Sequence, residues 1–186
     1  MGRLKQLLPL GDRTVLRHSV DTLRAAGVSE IVVVCGPDPD RYEAALASSG
    51  ARLVVNKAAA SEMADSVRLG LGRMDRSAYS GILLCLGDHP LVRPETCAAL
   101  LRLHRRSAAK IIIPSFRGRR GHPVLFPTAV IGEIFSSATL RDIVRRDPER
   151  VQVAEVEDEG VILDLDTGED YQRAVELYRA RAGEAR

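Results

Sequence analysis

Four short apolar runs constrain this chain more than any other feature: Ile31–Cys35, Leu53–Val55, Ile82–Leu86 and Ile111–Ile113. Each is short for a helix, and each ends at or near a breaker or polar residue, so each reads as a strand. Amphipathic segments lie between them. Leu16, Val20, Leu23 and Ala26 recur at helical spacing, and Gly27 can close that helix. Ser61 can cap a helix running to about Gly72, and Pro94 suits the first turn of one reaching about Arg106. Strands joined by helical crossovers predict an α/β fold, with a mostly parallel sheet covered on both faces.

The rest of the chain is less regular. Asp38–Arg41 reads as a loop, and Arg117–Gly121 as a basic, glycine-containing loop. Val124–Phe126 reads as a short strand between prolines, and Val151–Val156 and Val161–Leu165 as two more strands. Thr167-Gly168-Glu169-Asp170 has capping-box spacing and opens a last helix through about Arg179. With 186 residues and no linker composition, a single domain over 1–186 is expected.

Net charge is only +2, too mild for a nucleic-acid binder, and no apolar run approaches membrane length. The N-terminus lacks the pattern of a signal peptide. Cys35, Cys85 and Cys97 show no metal-binding spacing; Cys35 and Cys85 close apolar runs and read as small core residues, and a reducing, cytoplasmic setting fits. No G-x-S-x-G, H-E-x-x-H, Walker A or G-x-G-x-x-G pattern occurs, which removes standard serine hydrolases, zincins, P-loop proteins and dinucleotide binders.

The chemistry-bearing residues lie where the apolar runs end. Gly87-Asp88-His89-Pro90 follows the third run. In open α/β sheets ligands bind outside the carboxyl ends of strands, and an aspartate after a glycine there can hold a divalent metal against a phosphate. A turn aspartate is the plainer reading. Asp164 and Asp166, two apart in an extended pattern, share one face and need solvent, a partner or a cation. His122, beside Arg119, Arg120 and Gly121, could receive an anionic substrate, or be an ordinary loop histidine.

In order along the chain, these segments resemble the MobA-like nucleotidyltransferase family, with the nearer likeness to molybdenum cofactor cytidylyltransferases. Met1-Gly2-Arg3-Leu4-Lys5-Gln6-Leu7-Leu8-Pro9 matches the tail of the family signature L-A-A-G-x-S-x-R-M-G-x-x-K-x-L-L-P. Gly87-Asp88-His89-Pro90 matches G-D-x-P, Gly118–Phe126 looks like G-x-R-G-H-P-V-L-F, and Leu163–Tyr171 resembles L-D-x-D-T-P-E-D-Y. The resemblance implies a three-layer Rossmann-like fold of the nucleotide-diphospho-sugar-transferase type. It implies transfer of CMP from CTP to the phosphate of molybdopterin, releasing pyrophosphate with Mg²⁺. Asp88 would be the catalytic metal ligand and Asp166 the second, with Asp164 as the alternative. Lys5 would neutralise phosphate charge. Asn56, Ser66 and Gly87 would face the nucleotide, and Gly121 and His122 the pterin. A molybdenum hydroxylase is the further partner the resemblance implies; nucleic acid and membrane are not expected.

Three departures stand out. The L-A-A-G-x-S-x-R half of the signature is absent, so the expectation is a chain truncated relative to the family, lacking its phosphate loop and first central strand. Where the family has N-P-x-W-x-x-G-M, the chain has Ala59 for Trp and Glu62 for Gly, the latter placing a carboxylate near a nucleotide. Gly168 replaces the family proline. Asp65–Leu71 also resembles the D-S-V-x-x-G-L of methylerythritol phosphate cytidylyltransferases, a second enzyme reading. The departures also leave open a catalytically degenerate binding or maturation factor for a molybdenum hydroxylase.

Overall fold

The computed structural model describes residues 4–58, 61–137 and 139–184. Met1 to Arg3 of the signature tail, and Ala59 at the tryptophan position, lie outside them. After a single 3₁₀ turn at Lys5–Leu7, the strands are β1 (Pro9–Leu10), β2 (Arg13–Thr14), β3 (Val32–Cys35), β4 (Arg52–Val55) and β5 (Gly81–Leu84). They continue with β6 (Ile111–Phe116), β7 (Arg119–Arg120), β8 (Val124–Pro127) and β9 (Val151–Glu155). The helices are α1 (Val15–Ala25), α2 (Pro39–Leu46), α3 (Met63–Leu71), α4 (Pro94–Arg106), α5 (Thr128–Ile131), α6 (Leu140–Arg146) and α7 (Gly168–Glu184).

The α/β architecture matches the expectation in layers. Ile82, Leu84, Ile111, Ile113, Val124 and Phe126 point to one face, packed by α3, α5 and α6. Ile112, Leu125, Ala154 and Leu83 point to the other, under Leu100, Leu101 and Leu103 of α4. Apolar residues on both faces explain why the strand runs carry no polar alternation. The sheet, however, is mixed rather than mostly parallel. β3–β4 and β6–β9 are parallel, but β8 runs antiparallel to both β5 and β6. The reason is connection length. Only a tight turn and the short β7 separate β6 from β8, and a parallel return needs a crossover of a dozen residues or more. Arg117 and Gly118, both at positive φ, make that turn.

Local signals mostly hold. Gly27, at φ +85°, follows the last turn of α1, and Pro94 opens α4. Three details differ. Asp38–Arg41 is not all loop, because Pro39 starts α2. Glu62, not Ser61, caps α3, in a reciprocal box with Asp65. Val161–Leu165 is no strand but the end of a 3₁₀ turn and an extended stretch. Leu163 and Leu165 are nevertheless buried and Asp164 and Asp166 exposed, so the in-out alternation survives without a ladder.

One buried carboxylate knits this late stretch to the rest. Asp158 is 2% exposed. Its Oδ2 accepts from the Arg93 N–H (2.8 Å) and the Thr96 hydroxyl (2.7 Å), at the start of α4. Its Oδ1 accepts from the Gly160 N–H (3.1 Å) and from Arg181 of α7 (3.4 Å). Nearby, a Cβ on Gly160 would drive into the Leu91 carbonyl, and one on Gly121 into the Val161 carbonyl. The segment is thus pinned backbone-to-backbone to the chain after Asp88 and to the chain before His122. Removing one partner of such a buried network leaves charges and donors unpaired. Asp158→Ala is expected to lower unfolding stability by about 3–5 kcal/mol, read as a fall in the urea midpoint.

Candidate active site

Asp88 stands in a turn just past the apolar run that forms β5. Gly87 packs close to Gln6; a Cβ there would meet Gln6 Cγ at 3.2 Å, so that side chain would have to shift slightly. The Asp88 side chain is 21% exposed, yet its Oδ1 is shielded from solvent and has no hydrogen-bond partner. His89 Nε2, at 4.0 Å, is too far to supply one. An orphaned carboxylate oxygen calls for a cation or a donor.

The 3₁₀ turn at the start of the chain brings Lys5 to the same place. Its Nζ donates to Asp166 Oδ1 at 2.7 Å. The Lys5 ammonium is held above its ordinary pKa, first by this hydrogen bond and then, against partial desolvation, by the charges of Asp166, Asp88 and Asp164. The structure therefore brings Lys5, Asp88, Asp164 and Asp166 into one electrostatic group. Asp166 directly precedes the Thr167–Asp170 box, in which the Thr167 N–H and hydroxyl both donate to Asp170 Oδ2 at 2.7 Å.

His122 closes another side. Its N–H donates to the Val161 carbonyl (2.8 Å), and its ring lies 5.3 Å from that of His89. His89 is 7% exposed, and the Nδ1 atoms of both rings are buried without partners. Burial, reinforced by His89, lowers the His122 pKa from 6.5 to about 4, although Asp164 and hydrogen bonding at Leu84 oppose the shift. His122 is therefore neutral at pH 7 and presents a ring nitrogen, not a positive charge. Gly121 permits the close crossing with Val161 that sets this wall.

Asn56 and Ser66 sit on the opposite side. Asn56, 8% exposed at the end of β4, donates through Nδ2 to Ser66 Oγ at 3.2 Å and accepts from the Ala58 N–H at 3.1 Å. Both line the same cleft as Gln6 and Gly87. Glu62 is spent on capping α3, which accounts for a carboxylate at this point between Asn56 and Ser66. Two contributors carry no signal in the sequence: His89 has no motif role of its own within Gly87-Asp88-His89-Pro90, and Asp158 is one of several acids between Glu155 and Glu159.

Among the described residues no three His, Cys, Asp or Glu side chains converge as a preformed metal cage. Magnesium does not require one, since it is commonly held by one or two carboxylates plus substrate phosphates. Asp88, with its orphaned oxygen, and the exposed Asp166 fit that pattern.

A profile of the MobA-like NTP transferase domain matches residues 1–151. The chain belongs to this family. It is 31% identical to nicotine blue oxidoreductase of Paenarthrobacter nicotinovorans, over 94% of this chain and 86% of that protein. It resembles the crystal structure of Rv0371c from Mycobacterium tuberculosis, with TM-score 0.82 and 33% identity over 95% of this chain and 91% of that one. A second Rv0371c structure, complexed with manganese, matches at TM-score 0.75 and 30% identity over 94% and 93%. The nucleotide-diphospho-sugar-transferase type of fold and a nucleotidyltransferase activity follow for this MobA-like chain. No helix among its described residues is long and apolar enough to cross a membrane.

The His122 pKa has a measurable consequence. Between pH 6.5 and about 4, the unfolded chain takes up a proton that the folded chain refuses. His122 therefore contributes stability that is complete above pH 6.5 and lost as pH falls toward 4. The contribution is about 3 kcal/mol at most. Urea titrations at several pH values should show a shallower acid loss in His122→Gln than in the parent chain.

Proposed function

We propose that this MobA-like chain transfers CMP from CTP to the terminal phosphate of a molybdopterin-type cofactor and releases pyrophosphate. The observation that supports the reading most is the orphaned Asp88 oxygen in one electrostatic group with Lys5, Asp164 and Asp166 at a strand end. In this reaction a substrate phosphate oxygen forms a bond to the α-phosphorus of CTP, and the bond from that phosphorus to pyrophosphate breaks. No protein nucleophile is needed, so the protein's part is positioning and charge neutralisation.

Asp88 and Asp166 would hold Mg²⁺, with Asp164 beside them as the alternative second ligand. When bound, the ion neutralises the triphosphate and polarises the α-phosphoryl group. Lys5, paired with Asp166 in this structure, would exchange that carboxylate for a phosphate oxygen. Asn56 and Ser66 offer paired amide and hydroxyl groups to a base, and Gly87 lets the backbone approach. Gly121 and His122 form an uncharged wall suited to a heteroaromatic pterin. A neutral His122 would leave the positive charge for the phosphates to Lys5.

Pyrophosphate release decides the matter. CTP, molybdopterin and Mg²⁺ should give turnover that GTP does not match. Asp88→Ala should lower kcat by about 10²-fold or more, with little change in thermal midpoint. Absence of turnover with authentic cofactor would overturn the proposal. Cofactor binding without CTP turnover would instead assign the chain to maturation of a molybdenum hydroxylase.

A further inference from the structure

Lys5 and Asp166 are 161 residues apart in sequence, yet their side chains meet at 2.7 Å. Among the described residues that carboxylate is the only hydrogen-bond partner of the Lys5 ammonium; Asp88 and Asp164 act on its charge without bonding it. The pair is open to solvent, with the two side chains 28% and 63% exposed. Ion pairs this exposed are weak, because water competes for both charges.

The backbones that carry the pair, by contrast, are fixed to one another. The Tyr171 hydroxyl donates to the Pro9 carbonyl, which ties α7 to the chain just after Lys5. Gly11, at φ +65°, packs on Tyr178, and a Cβ there would lie 2.6 Å from Tyr178 Cε1. Leu10 and Val15 share one buried cluster with Leu163, Leu165 and Ala174, from either side of Asp166. Turning the Lys5 ammonium away from Asp166 therefore needs rotation about its own side-chain bonds and no movement of either segment.

Both partners have another claim on them. Asp166 is proposed, with Asp88, to hold Mg²⁺, and Lys5 to meet the triphosphate. Neither serves that role fully while it holds the other. At equal distance a carboxylate attracts a divalent cation about twice as strongly as an ammonium, since the energy follows the product of the charges. A triphosphate free of metal, in contrast, meets three carboxylates and a lysine that is already paired.

We infer that Lys5 is the resident counter-ion of Asp166: it occupies that carboxylate until a divalent cation takes it, and is thereby released to the triphosphate. One side chain then links the two ligands, so each binds more tightly when the other is present. An order follows, in which Asp166 changes partner first and Lys5 receives the nucleotide second. The inference rests on the proposed metal role of Asp88 and Asp166. A lysine that only braced the fold would stay paired in every state.

Labelling of the lysines with acetic anhydride, read peptide by peptide by mass spectrometry, tests this with no nucleotide present. Mn²⁺ binding is followed in the same samples by the electron paramagnetic resonance of the free ion. Lys110, whose ammonium donates to the Glu149 carbonyl, is the internal reference. With Mn²⁺ bound, Lys5 should be acetylated about two- to fivefold faster relative to Lys110, the factor that release of an exposed ion pair sets. A second measurement needs no metal. In EDTA, calorimetric titration with CTP should show Asp166→Asn binding about two- to fivefold more tightly than the parent chain, because Lys5 is already released. Asp164→Asn, which removes the same charge without freeing Lys5, should gain less. Mn²⁺ bound with Lys5 labelling unchanged or slowed would overturn the inference and leave the metal reading standing. So would equal gains in the two Asn variants, or no gain in Asp166→Asn. A parent chain that binds no Mn²⁺ would overturn both.

Discussion

The buried carboxylate of Asp158 is the interaction on which the geometry of the candidate site depends. It joins the first turn of α4, the 3₁₀ turn before Leu163 and the last helix through one pair of oxygens. The chain carrying Asp88 leads into that helix start, and the chain carrying Asp164 and Asp166 leads out of that 3₁₀ turn. Two acidic elements far apart in sequence are thereby held as one group. A buried charge is tolerated only when its lone pairs are filled, and here backbone N–H groups, a hydroxyl and a guanidinium fill them. Close backbone crossings at Gly121 and Gly160 remove the remaining slack.

Within that frame the site is deliberately unsatisfied. Core positions such as Leu100, Ile112 and Ile131 are fully buried among apolar neighbours. At the strand end, by contrast, Asp88 Oδ1 and the Nδ1 atoms of His89 and His122 are shielded yet have no partner. Among the described residues, three of the four buried polar side-chain atoms without a partner lie here, beside a lysine and two exposed carboxylates, and the fourth, His104 Nδ1, lies on α4; such unfilled capacity suits the phosphate chemistry proposed for this site. Burial of His122 keeps its imidazole uncharged, which fits the neutral substrate wall proposed for it.

Much of this was legible in particular residues. The third apolar run with Gly87 and Asp88 marked a strand and a carboxylate at its end. The alternation of Leu163, Asp164, Leu165 and Asp166 placed both acids on one face, and it did so although no strand forms there. Burial of every second residue needs only an extended backbone, not a ladder. The capping pattern at Thr167 and the turn glycine at Gly27 were legible because both act within a few residues. The antiparallel course of β8 was not, because Val124–Phe126 looks the same in either direction and only its pairing partners choose. Nor was the role of Asp158, two of whose partners, Thr96 and Arg93, lie 62 and 65 residues away in sequence.

By itself the sequence determined the alternation of strands and helices, the apolar faces, and the residue types able to handle a phosphate, since these follow from periodicity and local turn chemistry. The family motifs determined the class of reaction. Tertiary structure decided which acids meet which lysine, and that His122 is neutral. Each of these depends on distances and burial between segments remote in the chain, and local patterns carry no record of such distances.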